Sequence, residues 1–258
     1  MPLTLLTGRP ECHRVPPDVW SRASARAGPE VTAPPRRTVT HVVAPGMDFE
    51  LARTFSLRRV TATRAIKVLG IGGSLREGSQ SERALRIALA GAEEAGAATS
   101  AVTGGSLALP FYDAAVADRA ADAHALVEAV READGLIVVS PGYHGALSGL
   151  VKNALDYVED LRSDDRPYLD GRGVGLVAVA HGWQAAVTTL DQLRTIAHAL
   201  RGWPTPLGGA VNSAEVKFDE SGGASDEKVV RTLHTIGRQV AEFGLARATP
   251  RFDDHADG

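Results

Sequence analysis

From Ile66 onward, apolar runs of strand length alternate with segments whose apolar positions recur at helical spacing. Ile66-Lys67-Val68-Leu69-Gly70-Ile71 is a β-branched run closed by glycines. It opens into a segment carrying Leu85, Ala88, Leu89 and Ala92 at i, i+3, i+4 and i+7. A weaker strand is expected near Thr99–Thr103. A loop containing Leu109-Pro110-Phe111-Tyr112-Asp113 and a helix with Ala123, Leu126, Val127 and Val130 on one face follow. Gly135-Leu136-Ile137-Val138-Val139 has no polar interruption, the mark of a central parallel strand buried on both faces. A third helix turns Val151, Ala154, Leu155 and Val158 inward and Lys152, Asn153 and Asp156 elsewhere. Its second, less polar edge at Leu155 and Tyr157 fits packing against a partner, with Asp156 pairing to a neighbouring subunit. Val174–Val179 reads as a fourth strand, and Leu190, Leu193, Ala197 and Leu200 mark a fourth helix. A short strand over Gly208–Val211 and a helix with Val229, Leu233, Ile236 and Val240 complete the pattern.

Five strands alternating with five helices predict a doubly wound α/β sandwich. Ligands of such sheets sit beyond the carboxyl ends of the strands, near the point where strand order reverses. That rule selects three loops, 72–81, 140–149 and 180–186.

Residues 1–65 follow neither period. They hold ten arginines, no lysine and five acidic residues, with Pro16-Pro17 and Pro34-Pro35. The rest of the chain carries 18 basic and 26 acidic side chains, within a total formal charge of −3. The expected organisation is a disordered Arg/Pro-containing extension over 1–65, one folded domain over 66–247 and a disordered tail over 248–258. An upstream start, with Met47 as the working one, is the equivalent reading of the extension. It has neither the apolar core of a secretory signal nor the serine content of a transit peptide. The one cysteine, Cys12, lies there, so the folded part has no disulfide and no thiolate metal site. With no apolar run near the ~18–20 residues of a membrane span, the chain reads as soluble and cytoplasmic. Arginines scattered over the extension make a weak patch, so neither nucleic acid nor membrane is expected as a partner.

The first loop carries the strongest chemistry. Backbone N–H groups at a helix start, the hydroxyls of Ser74, Ser79 and Ser81 and the Arg76 guanidinium can converge on one small anion, such as a terminal phosphate. A Walker loop is excluded, because Ser79 stands where lysine is required after Gly73 and Gly78. The dinucleotide fingerprint fails at Leu75, and the second strand ends in Gly104-Gly105 without a carboxylate. The bland alternative is that Ser79 caps the helix, with Glu82 completing a capping box. That role leaves Ser74, Arg76 and Ser81 available.

The second loop, Ser140-Pro141-Gly142-Tyr143-His144-Gly145-Ala146-Leu147-Ser148-Gly149, leads into Leu150-Val151-Lys152-Asn153-Ala154-Leu155-Asp156-Tyr157. Together with Gly73-Ser74-Leu75-Arg76-x-x-Ser79-x-Ser81, it closely resembles the NADPH-dependent FMN reductase family of flavin, quinone and azo reductases. The resemblance covers residues 66–245. It implies a flavodoxin-like five-stranded parallel sheet of order 2-1-3-4-5, with helices on both faces, binding FMN. By the same resemblance Ser74, Arg76, Ser79 and Ser81 hold the FMN phosphate, Ser81 replacing a commoner asparagine. Pro141, Gly142, Tyr143, His144 and Gly145 run beside the isoalloxazine ring. The family usually has Glu at the position of Gly142 and often Asn at that of His144, so the loop is expected to act through its backbone. His181 and Gly182 correspond to a third flavin-facing loop.

A hydride carrier brings the difficult chemistry itself, and the chain shows no acid, base or nucleophile constellation to replace it. Ser140 lacks the G-x-S-x-G elbow of a hydrolase. His144 and His181 have no further metal ligands at a useful spacing. Tyr143 and Trp183 either stack on a ring or pack the loops. Lys152 and Asn153 are read as stabilising the loop-to-helix junction or a subunit interface. The expected function is an NAD(P)H-dependent FMN oxidoreductase, with NADPH or NADH as donor and a quinone, azo compound, metal oxyanion or free flavin as acceptor. A monooxygenase receiving reduced flavin is the possible protein partner, and a homodimer or homotetramer is the expected assembly. A flavodoxin-type electron carrier and a non-enzymatic FMN-binding sensor are the rival readings.

Overall fold

The structure, a computed structural model, describes residues 65–248. The extension read over 1–65 and the tail over 248–258 lie outside the described residues, except for Ala65 and Ala248. The element order is β1 (Lys67–Gly72), α1 (Gln80–Glu94), β2 (Ala98–Val102), α2 (Ala121–Glu132), β3 (Gly135–Tyr143), β4 (Ala146–Leu147), α3 (Gly149–Asp156), β5 (Gly173–Ala180), α4 (Trp183–Ala199), β6 (Trp203–Pro204), β7 (Gly209–Asn212) and α5 (Glu227–Ala248).

The parallel pairings run β2-β1-β3-β5, with β6 and β7 both on the outer side of β5. With β6 and β7 taken as one broken strand, this is the flavodoxin-like order 2-1-3-4-5. The sheet has seven strands rather than the expected five. Proline supplies no N–H to a ladder, and Pro204 and Pro206 fall where the fifth strand breaks. Pairing passes from Val174↔Pro204 to Val177↔Gly209, so this strand spends two more residues on the interval than β5 does. The other extra strand is β4, which turns back on β3 through Gly142↔Leu147 and Tyr143↔Ala146. The loop expected from residue 140 is thus largely a hairpin.

Alternation along the strands builds two apolar layers. Leu69, Ile71, Leu136, Val138, Leu176 and Ala178 face α2, α3 and α4. Val68, Ile137, Val139, Val177 and Val179 face α1 and α5. The periodic helix positions are buried as expected: Leu85, Ala88, Leu89 and Ala92 on α1, and Ala123, Leu126, Val127 and Val130 on α2. Ser79 caps α1 and Ser148 caps α3, each hydroxyl accepting from the N–H three residues on.

The third helix departs from expectation in three ways. It ends at Asp156 and tightens into a 3-10 turn over Tyr157–Leu161 that carries Val158 into the core. Leu155 and Tyr157 belong to the chain's own core, so the edge expected to meet a partner is already covered. Asn153 points inward: its Oδ1 accepts from Tyr112 N at 2.8 Å and its Nδ2 donates to Pro110 O at 2.8 Å. Asp156 forms an ion pair with Lys152 of the same helix.

Candidate active site at the carboxyl ends of the central strands

The three loops selected by the sheet rule follow β1, β3 and β5, which are adjacent strands. The first is joined to β3 at its root. Gly73 N–H donates to Val139 O at 3.2 Å, and a Cβ on Gly72 would lie 2.1 Å from that oxygen. Only glycine allows this approach. The chain then turns through Ser74, whose Oγ accepts from Arg76 N at 3.3 Å, and through Gly78 at φ 65°.

At the start of α1, Ser79 Oγ accepts from Glu82 N and lies 3.3 Å from Ser81 Oγ, both serines being buried. Glu82 Oε2 accepts from Gly78 N at 2.9 Å and its Oε1 from Arg86 at 2.6 Å, so the carboxylate reaches back to the residue before the cap rather than to the Ser79 N–H of a regular capping box. The N–H groups of Gln80 and Ser81 open the helix and have no acceptor within it. Arg76 is exposed, and its guanidinium has no partner among the described residues. The loop therefore presents two helix N–H groups and an uncommitted guanidinium, a donor set that suits a phosphate, with the Ser74 hydroxyl held only by a long bond to Arg76 O at 3.5 Å. The Ser79 hydroxyl is committed to its cap.

In the second loop Pro141 is buried at the end of β3, and Tyr143, His144 and Gly145 are exposed. His144 (φ 51°) and Gly145 (φ 85°) are the two central residues between paired Tyr143 and Ala146, both left-handed as a primed hairpin turn requires. A Cβ on Gly145 would meet nothing within 4 Å, so turn geometry accounts for this glycine. Gly142 is different. Its Cβ would lie 2.7 Å from Thr189 Oγ1 and 2.8 Å from Ala180 Cβ, so the backbone here rests directly on α4 and the end of β5. Thr189 Oγ1 is buried with no hydrogen-bond partner among the described residues.

Two side chains that sequence reasoning missed hold this hairpin. Ser140 Oγ accepts from Ser148 N at 3.0 Å. Gln192 on α4 donates from Nε2 to Gly145 O at 2.9 Å and accepts at Oε1 from Leu147 N at 3.2 Å. In the third loop His181 is exposed, and Gly182 N–H donates to Asn212 Oδ1 at 2.8 Å. Asn212 is buried and closes β7. Among the described residues, no three His, Cys, Asp or Glu side chains are grouped to hold a metal ion. No helix among them is long and apolar enough to cross a membrane.

An open cleft of about 860 Å³ lies off the strand ends, between α1, the segment 219–222 and α5. Its arginines are paired with neighbours, Arg83 to Glu220 at 3.1 Å and Arg86 to Glu82 at 2.6 Å, and no guanidinium there is left uncommitted in the way Arg76 is.

Residues 66–216 match the family described as NADPH-dependent FMN reductase. The chain belongs to that family. Among curated members and relatives, it is 29% identical over 194 residues to the NADPH-dependent FMN reductase ArsH of Rhizobium meliloti, covering 74% of this chain and 77% of that protein. It is 34% identical to the NADPH azoreductase of Bacillus sp. (strain OY1-2) over 33% of this chain and 45% of that protein. It is 33% identical to the FMN-dependent NADPH-azoreductase of Staphylococcus aureus over 38% of this chain and 48% of that protein. The match therefore spans about half the length of the two azoreductases.

The family fold is shared with solved structures. A flavoenzyme NAD(P)H:(acceptor) oxidoreductase from Paracoccus denitrificans superposes with a TM-score of 0.60 at 18% identity, over 71% of this chain and 99% of that one. An NADH:FMN oxidoreductase in its apo form gives 0.53 at 22% identity, over 70% and 90%. At these identities the likeness is one of fold.

Proposed function

We propose that this chain is an NAD(P)H-dependent FMN oxidoreductase, taking a hydride from NADPH or NADH and passing the electrons to a quinone, azo compound, metal oxyanion or free flavin. The observation that carries this reading is the first loop, where Arg76 stands without a partner among the described residues, just ahead of the open N-terminus of α1. When bound, FMN supplies the hydride-accepting and electron-passing chemistry. The chain's own residues then have three tasks. Arg76, Ser74, Ser81 and the first N–H groups of α1 hold the phosphate, above a Ser79 that fixes the helix start. Pro141, Gly142, Tyr143, His144 and Gly145 form a rigid hairpin along one side of the ring. His181 and Gly182, tied to Asn212, form the third side.

The acceptor is a small molecule, and the compartment is the cytoplasm, which supplies reduced nicotinamide. A homodimer or homotetramer fits the reading. Its interface has to use surface other than Leu155 and Tyr157, such as the fully exposed Phe111. Delivery of reduced flavin to a monooxygenase is compatible with the same site. The chemistry resides in residues 66–247, so a chain starting near Thr63 keeps its FMN uptake and turnover.

The test is a titration of the protein with FMN and with riboflavin, followed by rapid mixing with NADPH. FMN binds more tightly than riboflavin, and the flavin absorbance bleaches within turnover time. Arg76→Ala removes a charge-assisted contact of about 1.5–3 kcal/mol, so FMN affinity falls roughly ten- to a hundredfold while riboflavin affinity holds. Equal affinity for the two flavins overturns the phosphate cradle. Tight FMN binding without bleaching points to an electron carrier or a sensor instead.

A further inference from the structure

We propose that the Trp183 indole, fixed in place by Glu215, is the stacking wall for the planar ring of the second substrate, the nicotinamide of the donor or an aromatic acceptor. The inference rests on the reading of the three loops as an FMN site.

Trp183 is the first residue of α4, directly after the third loop, and it is 51% exposed. Its Nε1–H donates to Glu215 Oε1 at 2.9 Å. The same oxygen accepts from Asn212 Nδ2 at 2.7 Å. Asn212 Oδ1 in turn accepts from Gly182 N and from Ala214 N, and Ser213 N–H donates to Ala180 O at 2.8 Å. The indole, the third loop and the turn after β7 are thus one hydrogen-bonded unit.

A tryptophan commonly sits with its apolar body covered and its N–H toward water. Here the N–H is bonded to Glu215 at the surface, and half the residue faces solvent. The ring is held in one orientation while its apolar surface stays wet, an arrangement that a ligand ring would relieve. Because the rotamer is already fixed, little ordering remains to be done on binding. Tyr143, 53% exposed, rises from the neighbouring strand, whose end is paired to β5 through Pro141↔Val179. Two exposed aromatic side chains therefore stand on adjacent loops, the lining expected of a site for flat organic substrates. Glu215 reaches this site through the indole and, by way of Asn212, through the Gly182 amide, and it is a positioning residue.

The experiment uses the full chain loaded with FMN, in a Trp20→Phe, Trp203→Phe background that leaves Trp183 as the sole tryptophan emitter. KM is measured for NADPH, for menadione and for ferricyanide, which has no ring to stack. Quenching of Trp183 emission is titrated with NADP+ and with menadione, which reports binding without turnover. Trp183→Ala raises KM about two- to tenfold for NADPH, menadione or both, and the one that moves identifies the ring. Ferricyanide kinetics and FMN affinity stay within twofold. Glu215→Ala gives the same shift in smaller measure and makes Trp183 emission easier to quench with acrylamide. Glu215→Gln keeps an acceptor for the indole and restores wild-type values.

Unchanged KM for both ring substrates in a protein that binds FMN and turns over overturns this inference alone. Ligand titrations that leave Trp183 emission unquenched do the same. A Glu215→Gln protein as impaired as Glu215→Ala overturns the positioning role. A wild-type chain that takes up no FMN overturns the reading of the site and this inference with it.

Discussion

Gln192 grips Gly145 across 47 residues of sequence, its amide donating to the Gly145 carbonyl at 2.9 Å and accepting from Leu147 N on the other strand. One side chain of α4 thereby holds both the turn and the returning strand of the hairpin that borders the candidate site. Replacing it with alanine removes two partly exposed hydrogen bonds, each worth about 0.5–1.5 kcal/mol. The expected result for Gln192→Ala is a modest fall in melting temperature with faster hydrogen exchange at the Leu147 amide. FMN affinity weakens as the hairpin loosens. Unchanged exchange at Leu147 would show that the hairpin holds itself.

His144 and Gly145 make opposite predictions at one turn. A left-handed backbone suits glycine and asparagine best and is tolerated by histidine, and among the described residues the His144 side chain makes no hydrogen bond that holds the turn. His144→Asn is therefore neutral or slightly stabilising, with turnover close to wild type. Gly145→Val places a β-branched residue at φ 85°, a strain of roughly 1–3 kcal/mol. The turn has to rearrange, so flavin content falls while circular dichroism still reports the fold. A normal flavin content in Gly145→Val sinks the idea that this turn positions the ring.

Much of this was legible in the sequence because local rules agreed with the fold. Ile137 and Val139 alternate with Leu136 and Val138 between two apolar layers, so the run could only be a central strand. The Ser79–Glu82 pair announced the helix start that now carries the proposed phosphate cradle. What stayed hidden depends on distant partners. Asn153 looks solvent-bound on a helical wheel, and only the return of residues 109–112 gives its amide an inward role. Leu155 and Tyr157 read as a spare apolar edge for the same reason, since Tyr157 Oη donates to Pro110 O at 3.0 Å under that loop. Gln192 and Glu215 are ordinary surface residues until β3 and β7 bring their partners to them. The small glycines of the second loop resembled a close approach to a ring. Within the chain itself Gly142 makes room for Thr189 and Gly145 meets the demand of the turn, a structural reason for each beside the one expected of the ring.

Arg172 concerns the opposite edge of the sheet. Its guanidinium is buried and donates to Ala133 O at 3.0 Å, Arg131 O at 2.9 Å and Tyr168 O at 3.1 Å, closing the end of α2. Burial pulls its pKa down to about 10, so it remains cationic at neutral pH. A base whose folded pKa is depressed disfavours folding while it stays charged. That penalty is constant below about pH 10 and is relieved only above it. Stability is therefore insensitive to this group between pH 6 and 9. Arg172→Ala strands several carbonyls and opens a cavity, at a loss of about 3 kcal/mol or more, read by urea denaturation. Because the residue lies at the amino ends of the strands, away from the carboxyl ends that carry the candidate site, folded Arg172→Ala protein keeps its FMN affinity.

Asn153 offers a prediction whose sign depends on pH. Its side chain accepts from Tyr112 N and donates to Pro110 O and, at 3.4 Å, to Leu109 O. Asn153→Ala loses these contacts at every pH, a destabilisation of about 2 kcal/mol. Asn153→Asp keeps the acceptor for Tyr112 but turns a carboxylate oxygen toward two carbonyls in a buried place. Burial and those carbonyls both disfavour the charged form, so the folded pKa of the new aspartate rises above its unfolded value. Between the two values the folded state then binds more protons than the unfolded one, and stability falls as pH rises. Urea unfolding at pH 4.5 and pH 7.5 should thus find Asn153→Asp closer to wild type at the lower pH, while Asn153→Ala shows the same deficit at both. A pH-independent deficit in Asn153→Asp would mean that the 109–112 loop swings away and lets water reach the carboxylate. Faster proteolysis at Tyr112, which is half-buried in the native chain, would then accompany the loss.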